Sequence, residues 1–103
     1  MPPDAASKSK AFLLDARGMD PPEPFVRAMN ILAALNQGDY LHFLHIRSPV
    51  MLFPELETLG MSAQTFADSS GLIHVFVWRE NDNIAEKTVH HDIASLAKPG
   101  NQP

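Results

Sequence analysis

The chain has 103 residues, which holds one small domain whose core is modest and whose stability should be marginal. Its formal charge of -4, with 12 acidic against 8 basic residues, argues against a nucleic-acid partner, because phosphate binding needs a basic face. There is no cysteine, which excludes disulfides, thiolate metal sites, persulfide carriage and cysteine nucleophiles together.

No apolar run approaches a membrane span and the first residues do not read as a signal peptide, so a cytoplasmic location and no membrane partner are expected. Residues 1–10 are small, polar and proline-bearing, and read as a disordered tail. The folded domain is expected over residues 11–79. Residues 80–103 read as a flexible extension with room for one short helix, marked by Val89, Ile93 and Leu96.

Residues 11–14 form a short apolar strand. Asp15-Ala16-Arg17-Gly18 then turns the chain, with Gly18 free to take positive φ. A helix is expected over residues 22–35. The first N–H groups of a helix have no internal acceptor, so Pro22 and Pro24 lose nothing if Pro21 lies near the cap. A cap at Asp20 is the alternative, with Glu23 completing a capping box. Glu23 and Arg27 are an i,i+4 pair, while Phe25, Met29 and Leu32 belong to the apolar side.

Gln37-Gly38-Asp39 ends that helix, and residues 40–46 form the next strand. A helix between two neighbouring strands implies a parallel, right-handed crossover. Alternation puts Leu41, Phe43 and His45 toward the helices, and Tyr40, His42, Leu44 and Ile46 on the other face. Ser48-Pro49 signals a second helix start. Leu52, Phe53, Leu56 and Leu59 mark its buried side, Pro54 confines regular helix to the second half, and Gly60 stops it. A hairpin follows, from a weak strand over 62–67 to a strong one over 72–79. Ile73, Val75 and Val77 should face the helices, with His74, Phe76 and Trp78 opposite. The expected fold is therefore an α/β (α+β) two-layer sandwich of order β-α-β-α-β-β, a four-stranded mixed sheet with both helices on one face.

This order, with Leu14-Asp15-x-x-Gly18-Met19-x-x-Pro22-x-Pro24 at the first junction, resembles the TusA/SirA sulfur carriers. Their signature is Leu-Asp-x-x-Gly-Leu-x-Cys-Pro-x-Pro, and the position of their persulfide-carrying cysteine is Pro21 here. A cysteine-less relative, the TusA-like family DUF2249, resembles the chain more closely. Its pattern is similar to Leu14-Asp15-Ala16-Arg17-Gly18, Pro21-Pro22-Glu23-Pro24, His45-Ile46-Arg47-Ser48-Pro49 and Pro54-Glu55-Leu56-Glu57. The resemblance covers about residues 13–79 and implies the sandwich fold without persulfide carriage. It also implies a setting near hemerythrin-like and respiratory nitrogen-oxide functions.

Two groups of residues are candidates for function. Asp15, Arg17, Glu23, His45 and Arg47 should gather where the first two strands end, offering a ligand or a partner an edge of mixed charge. The more ordinary role for the same residues is structural, with Asp15 and Arg17 fixing the turn by hydrogen bonds and His45 a satisfied, partly buried residue. Prolines and acids argue against anion binding at the first helix start, leaving Arg47-Ser48 ahead of the second as the better anion candidate. The second group is His42, His74, Phe76 and Trp78 on the open sheet face. Either residues 84–96 fold back over it, or a protein partner or a second copy docks there.

No cofactor is expected. If the histidines held a metal, His42, His45 and His74 would be the candidates and zinc or copper the ions, although His42 and His45 fall on opposite faces of one strand. No nucleophile–base motif stands out, and the residues favour a non-enzymatic binding or adaptor module over an enzyme. A redox accessory protein with a histidine metal site, and an acid–base enzyme pairing His45 with Asp15, are the alternatives.

Overall fold

The computed structural model describes residues 9–97. The elements are β1 (Ala11–Asp15), α1 (Glu23–Ala33), β2 (Tyr40–His45), α2 (Phe53–Thr58), β3 (Met61–Ala67), β4 (Ile73–Arg79) and α3 (Asn83–Ala97). The strand order is β1-β2-β4-β3. β1 and β2 run parallel, and the other two pairings are antiparallel. The four-stranded mixed sheet is the expected one.

Most of the expected N-terminal tail lies outside the described residues. Its last two residues are tied down, because the Ser9 hydroxyl donates to the Gly38 carbonyl at 2.7 Å and the Tyr40 N–H donates to the Lys10 carbonyl at 3.1 Å. β1 ends at Asp15, and Gly18 turns the chain at φ +85°. α1 begins one residue later than the preferred register, with Pro22 as its cap and Pro24 within the first two positions. Proline still forfeits no donor there. The Val26 N–H donates to the Pro22 carbonyl at 3.0 Å as the first turn closes.

α1 and α2 pack on one face of the sheet. Ala28 and Leu32 from α1 and Leu56 from α2, with Leu52 just ahead of it, meet Leu14, Leu41, Phe43, Val75 and Val77. The strand alternation therefore resolves as the sequence implies. Glu23 and Arg27 form their i,i+4 pair at 2.9 Å. α2 is shorter than expected. Residues 48–52 form turns, the helix begins only at Phe53 ahead of Pro54, and Leu59 lies exposed beyond its end. Arg79, at the end of β4, donates from Nη1 to the Leu35 carbonyl at 2.6 Å, satisfying an acceptor beyond the end of α1. Arg79→Ala should lower stability by about 1 kcal/mol, read as a shift in the urea midpoint. No shift would mean that water replaces the guanidinium there.

Residues 80–97 depart from the expectation of a flexible extension. The Asp82 carboxylate accepts the Ala85 N–H at 3.0 Å, capping α3, and its second oxygen accepts the Gly38 N–H at 2.8 Å. Ala85, Val89 and Ile93, four residues apart, lay one stripe on Tyr40, Phe76 and Trp78. α3 thus adds a third layer over one end of the face that a two-layer sandwich would leave open. No helix among the described residues is long and apolar enough to cross a membrane.

Candidate functional site

The carboxyl ends of β1 and β2 lie side by side, with Asp15 paired to Leu44 in the parallel register. The crevice outside such strand ends, beside the start of the crossover helix, is where α/β sheets place ligands. Here it is a cavity of about 280 Å³ between the start of α1 and residues 47–52. Pro21, Pro22, Pro24 and Phe25 form one wall, Pro49, Val50, Met51 and Leu52 the other, and Phe43 lies between. His45, Arg47 and Ser48 supply its polar side chains. Val50 and Met51 are 69% and 68% exposed, so large apolar groups stand in water at the rim.

The expected edge divides in two. His45 and Arg47 line the cavity, whereas Asp15, Arg17 and Glu23 are engaged elsewhere. Arg17 holds both Asp15 oxygens in a fork, Nε to Oδ1 at 2.8 Å and Nη2 to Oδ2 at 2.7 Å. Those side-chain bonds, then the Arg17 backbone N–H, pull the Asp15 carboxyl down to about 2. Glu23 is paired with Arg27. His45 Nδ1 accepts the Ile46 N–H at 2.7 Å. No hydrogen bond joins Asp15 to His45; their bonds go to Arg17 and to the Ile46 N–H respectively. Arg47-Ser48 does not stand at a helix start either, because α2 begins five residues later.

The sheet-face group is brought together, but it is not open. Phe76 and Trp78 are 0% and 5% exposed beneath α3, so the chain itself covers the aromatic part of this face. Beside them lies a polar chain. His42 Nε2 meets His74 Nδ1 at 2.9 Å, and His74 Nε2 meets the Asp68 carboxylate at 2.8 Å. Asp68, in the β3–β4 turn, also accepts from the Ser70 hydroxyl at 2.6 Å and from the backbone N–H groups of Ser70 and Leu72. These bonds, that to His74 first, hold its carboxyl well below the usual range. The His42 ring lies on Phe76 with centroids 4.2 Å apart. Burial, and then the neighbouring His74, push His42 down to about 4, against a smaller opposing pull from Asp92. Tyr40 donates its hydroxyl to Asp92 of α3, and burial followed by that bond raises the phenol above its ordinary range.

His42 and His74 offer two imidazoles close together, with a carboxylate behind one of them. His45 lines the cavity across the sheet, as the alternation implies. Among the described residues no three His, Asp or Glu side chains are grouped to hold a metal ion.

Two features were missed in the sequence. Asp68 joins the histidines only through the fold of the hairpin turn. Val50 and Met51 follow the expected helix start at Ser48-Pro49 and lie outside the set marked as its buried side; two further apolar residues with no assigned burial were the signal.

A family model described as an uncharacterised conserved protein, DUF2249, matches residues 13–79. Among solved structures, a SirA-like protein from Desulfitobacterium hafniense is similar to this chain, with a TM-score of 0.57 and 26% identity. The match covers 63% of this chain and 92% of that one. No curated protein matches.

Proposed function

The chain belongs to DUF2249, a family of uncharacterised conserved proteins, and on that footing we propose that it is a non-enzymatic binding module. It takes a ligand into the cavity at the ends of β1 and β2 and offers the adjoining Asp15, Arg17, Glu23, His45 and Arg47 edge to a protein partner in the cytoplasm. One observation carries this reading. The junction that resembles a sulfur carrier's thiol site has Pro21 in place of the thiol, and beside it lies a proline-walled, largely apolar cavity. Apolar walls with a few convergent polar groups favour binding. The thiol is absent there, no hydrogen bond joins the Ser48 hydroxyl to His45, and His45 and Asp15 are each turned to other partners.

Titrating neutral apolar fragments into ¹⁵N-labelled protein tests this. Amide shifts should centre on Glu23, Phe25 and the non-proline residues of 43–52, and Val50→Glu should abolish them while leaving the rest of the spectrum in place. Shifts spread evenly over the surface would remove the reading.

The His42–His74 contact favours a second reading, a histidine metal site in a redox setting. It supplies two donors and, among the described residues, no third, so a partner would have to complete it. Stoichiometric zinc or copper in native-purified protein, lost in His42→Ala, is the result this reading requires.

A further inference from the structure

We propose that the cavity at the ends of β1 and β2 takes a small aliphatic carboxylate, its tail along the proline walls and its head on Arg47 and His45. The inference rests on the reading of this cavity as the recognition site and adds the chemistry of its occupant.

The walls exclude most alternatives. Pro21, Pro22, Pro24 and Pro49 have no N–H, and Phe25 and Met51 present carbon or sulfur. A peptide laid along them would leave its own N–H and C=O groups unpaired, a loss of about 1–3 kcal/mol for each such buried group. An aliphatic chain has nothing to leave unpaired and gains about 0.8 kcal/mol for each CH₂ it buries. The volume, about 280 Å³, is at the small end for ligand sites, which matches a chain of about six to eight carbons.

The polar side chains specify the head. His45, Arg47 and Ser48, all on the chain as it leaves β2, supply the polar side chains of the lining. The Ile46 N–H occupies His45 Nδ1 at 2.7 Å, so the neutral ring carries its proton on Nε2 and donates. Arg47 has no ion-pair partner among the described residues, unlike Arg17 and Arg27, which hold Asp15 and Glu23. A guanidinium, an imidazole N–H and a hydroxyl can each donate to a bound acceptor, and a carboxylate fits the guanidinium fork. Phosphate or sulfate would also want several backbone N–H donors, and Pro21, Pro22, Pro24 and Pro49 supply none. Asp15 and Glu23 do not compete for it, because each is paired with its own arginine.

Calorimetric titration with hexanoate, hexanamide and an acetylated dipeptide ending in leucine tests the proposal, with ¹⁵N spectra locating each site. Hexanoate should bind at residues 45–52. Hexanamide should bind about tenfold more weakly, as should hexanoate to Arg47→Gln, since each loses one charge-assisted contact. Arg47→Gln should leave hexanamide unchanged. Equal binding of acid and amide, or an Arg47→Gln variant that holds hexanoate as well as wild type, overturns the carboxylate while leaving the cavity as an apolar recognition site. Tighter binding of the dipeptide than of hexanoate overturns the small-molecule occupant in favour of a peptide C-terminus. If neither the acid nor the neutral fragments perturb these amides, the reading of the cavity fails along with the proposal.

Discussion

Val89→Asp should destabilise the protein by about 4 kcal/mol. Val89 is fully buried, wedged between α3 and the sheet against Tyr40, Phe76 and Trp78. A carboxylate there would meet no cation. Two further acids, Glu86 and Asp92, lie one turn away on either side along α3, and Asp92 already accepts the Tyr40 hydroxyl. The uncompensated charge adds to the lost apolar contact, which by itself, as in Val89→Ala, is expected to reach about 2 kcal/mol. Against a total of about 5–15 kcal/mol for a domain of this size, a few kcal/mol more would unfold it.

Trp78 makes the effect easy to read, because it is the chain's one tryptophan and lies under α3. Its emission should shift to the red in the variant, and the urea midpoint should fall. Leu96→Asp, on the exposed end of the same helix, should stay within about 0.5 kcal/mol of wild type. Unchanged emission and midpoint in Val89→Asp would mean that α3 does not pack on the sheet in solution.

α3 is also where the sequence was least legible. Two-residue periodicity placed Leu41, Phe43, Val75 and Val77 toward α1 and α2 and His42, His74, Phe76 and Trp78 opposite, because a strand leaves a side chain only two directions. The first junction was legible for a similar reason: proline tolerates few positions, and only the start of a helix accepts several. The α3 stripe is thinner. It begins at Ala85, too small to register as a core residue, and its cap, Asp82, follows Asn81 at φ +72°, a turn whose acids and amides read as loop. The open aromatic face was itself the better signal, since something had to cover it. In the cavity, Pro49 suggested a helix that Pro54 in fact delays to Phe53. The three residues between Pro49 and Phe53 turn instead, and that places Val50 and Met51 at a rim. The Asp68–His74 bond spans six residues across a turn, and neither spacing nor residue type announces it.

The histidine pair gives the protein an expected dependence on pH. Only one proton fits between His42 Nε2 and His74 Nδ1 at 2.9 Å, so the two rings cannot both be imidazolium without separating. His42 is the ring the fold keeps neutral, at about 4 instead of its ordinary 6.5. It faces His74 and Phe76 of β4 on one side, and the nearest opposite charge is Asp92 of α3. Above pH 6.5 neither the folded nor the unfolded chain protonates it, and it contributes no slope. Between 6.5 and about 4 the unfolded chain takes up a proton that the folded chain refuses, so stability falls as the pH falls, by at most about 1.4 kcal/mol per unit. The whole interval corresponds to about 3 kcal/mol, reduced to about 2 because His42 is only partly buried. Below about 4 the folded ring protonates as well and this contribution levels off. Asp68 then takes over. Its carboxyl is lowered, so its contribution is complete above the ordinary carboxylate range and is lost as the pH falls below 3.8. His42→Gln, which keeps a donor for His74 and cannot titrate, should flatten the urea midpoint between pH 7.5 and 4.5 while leaving the steeper loss at lower pH. Asp68→Asn should do the reverse, removing the loss at lowest pH and weakening the fold at neutrality, where the ionised carboxylate holds His74. A His42→Gln variant that retains the full slope would assign the titration to another of the five histidines.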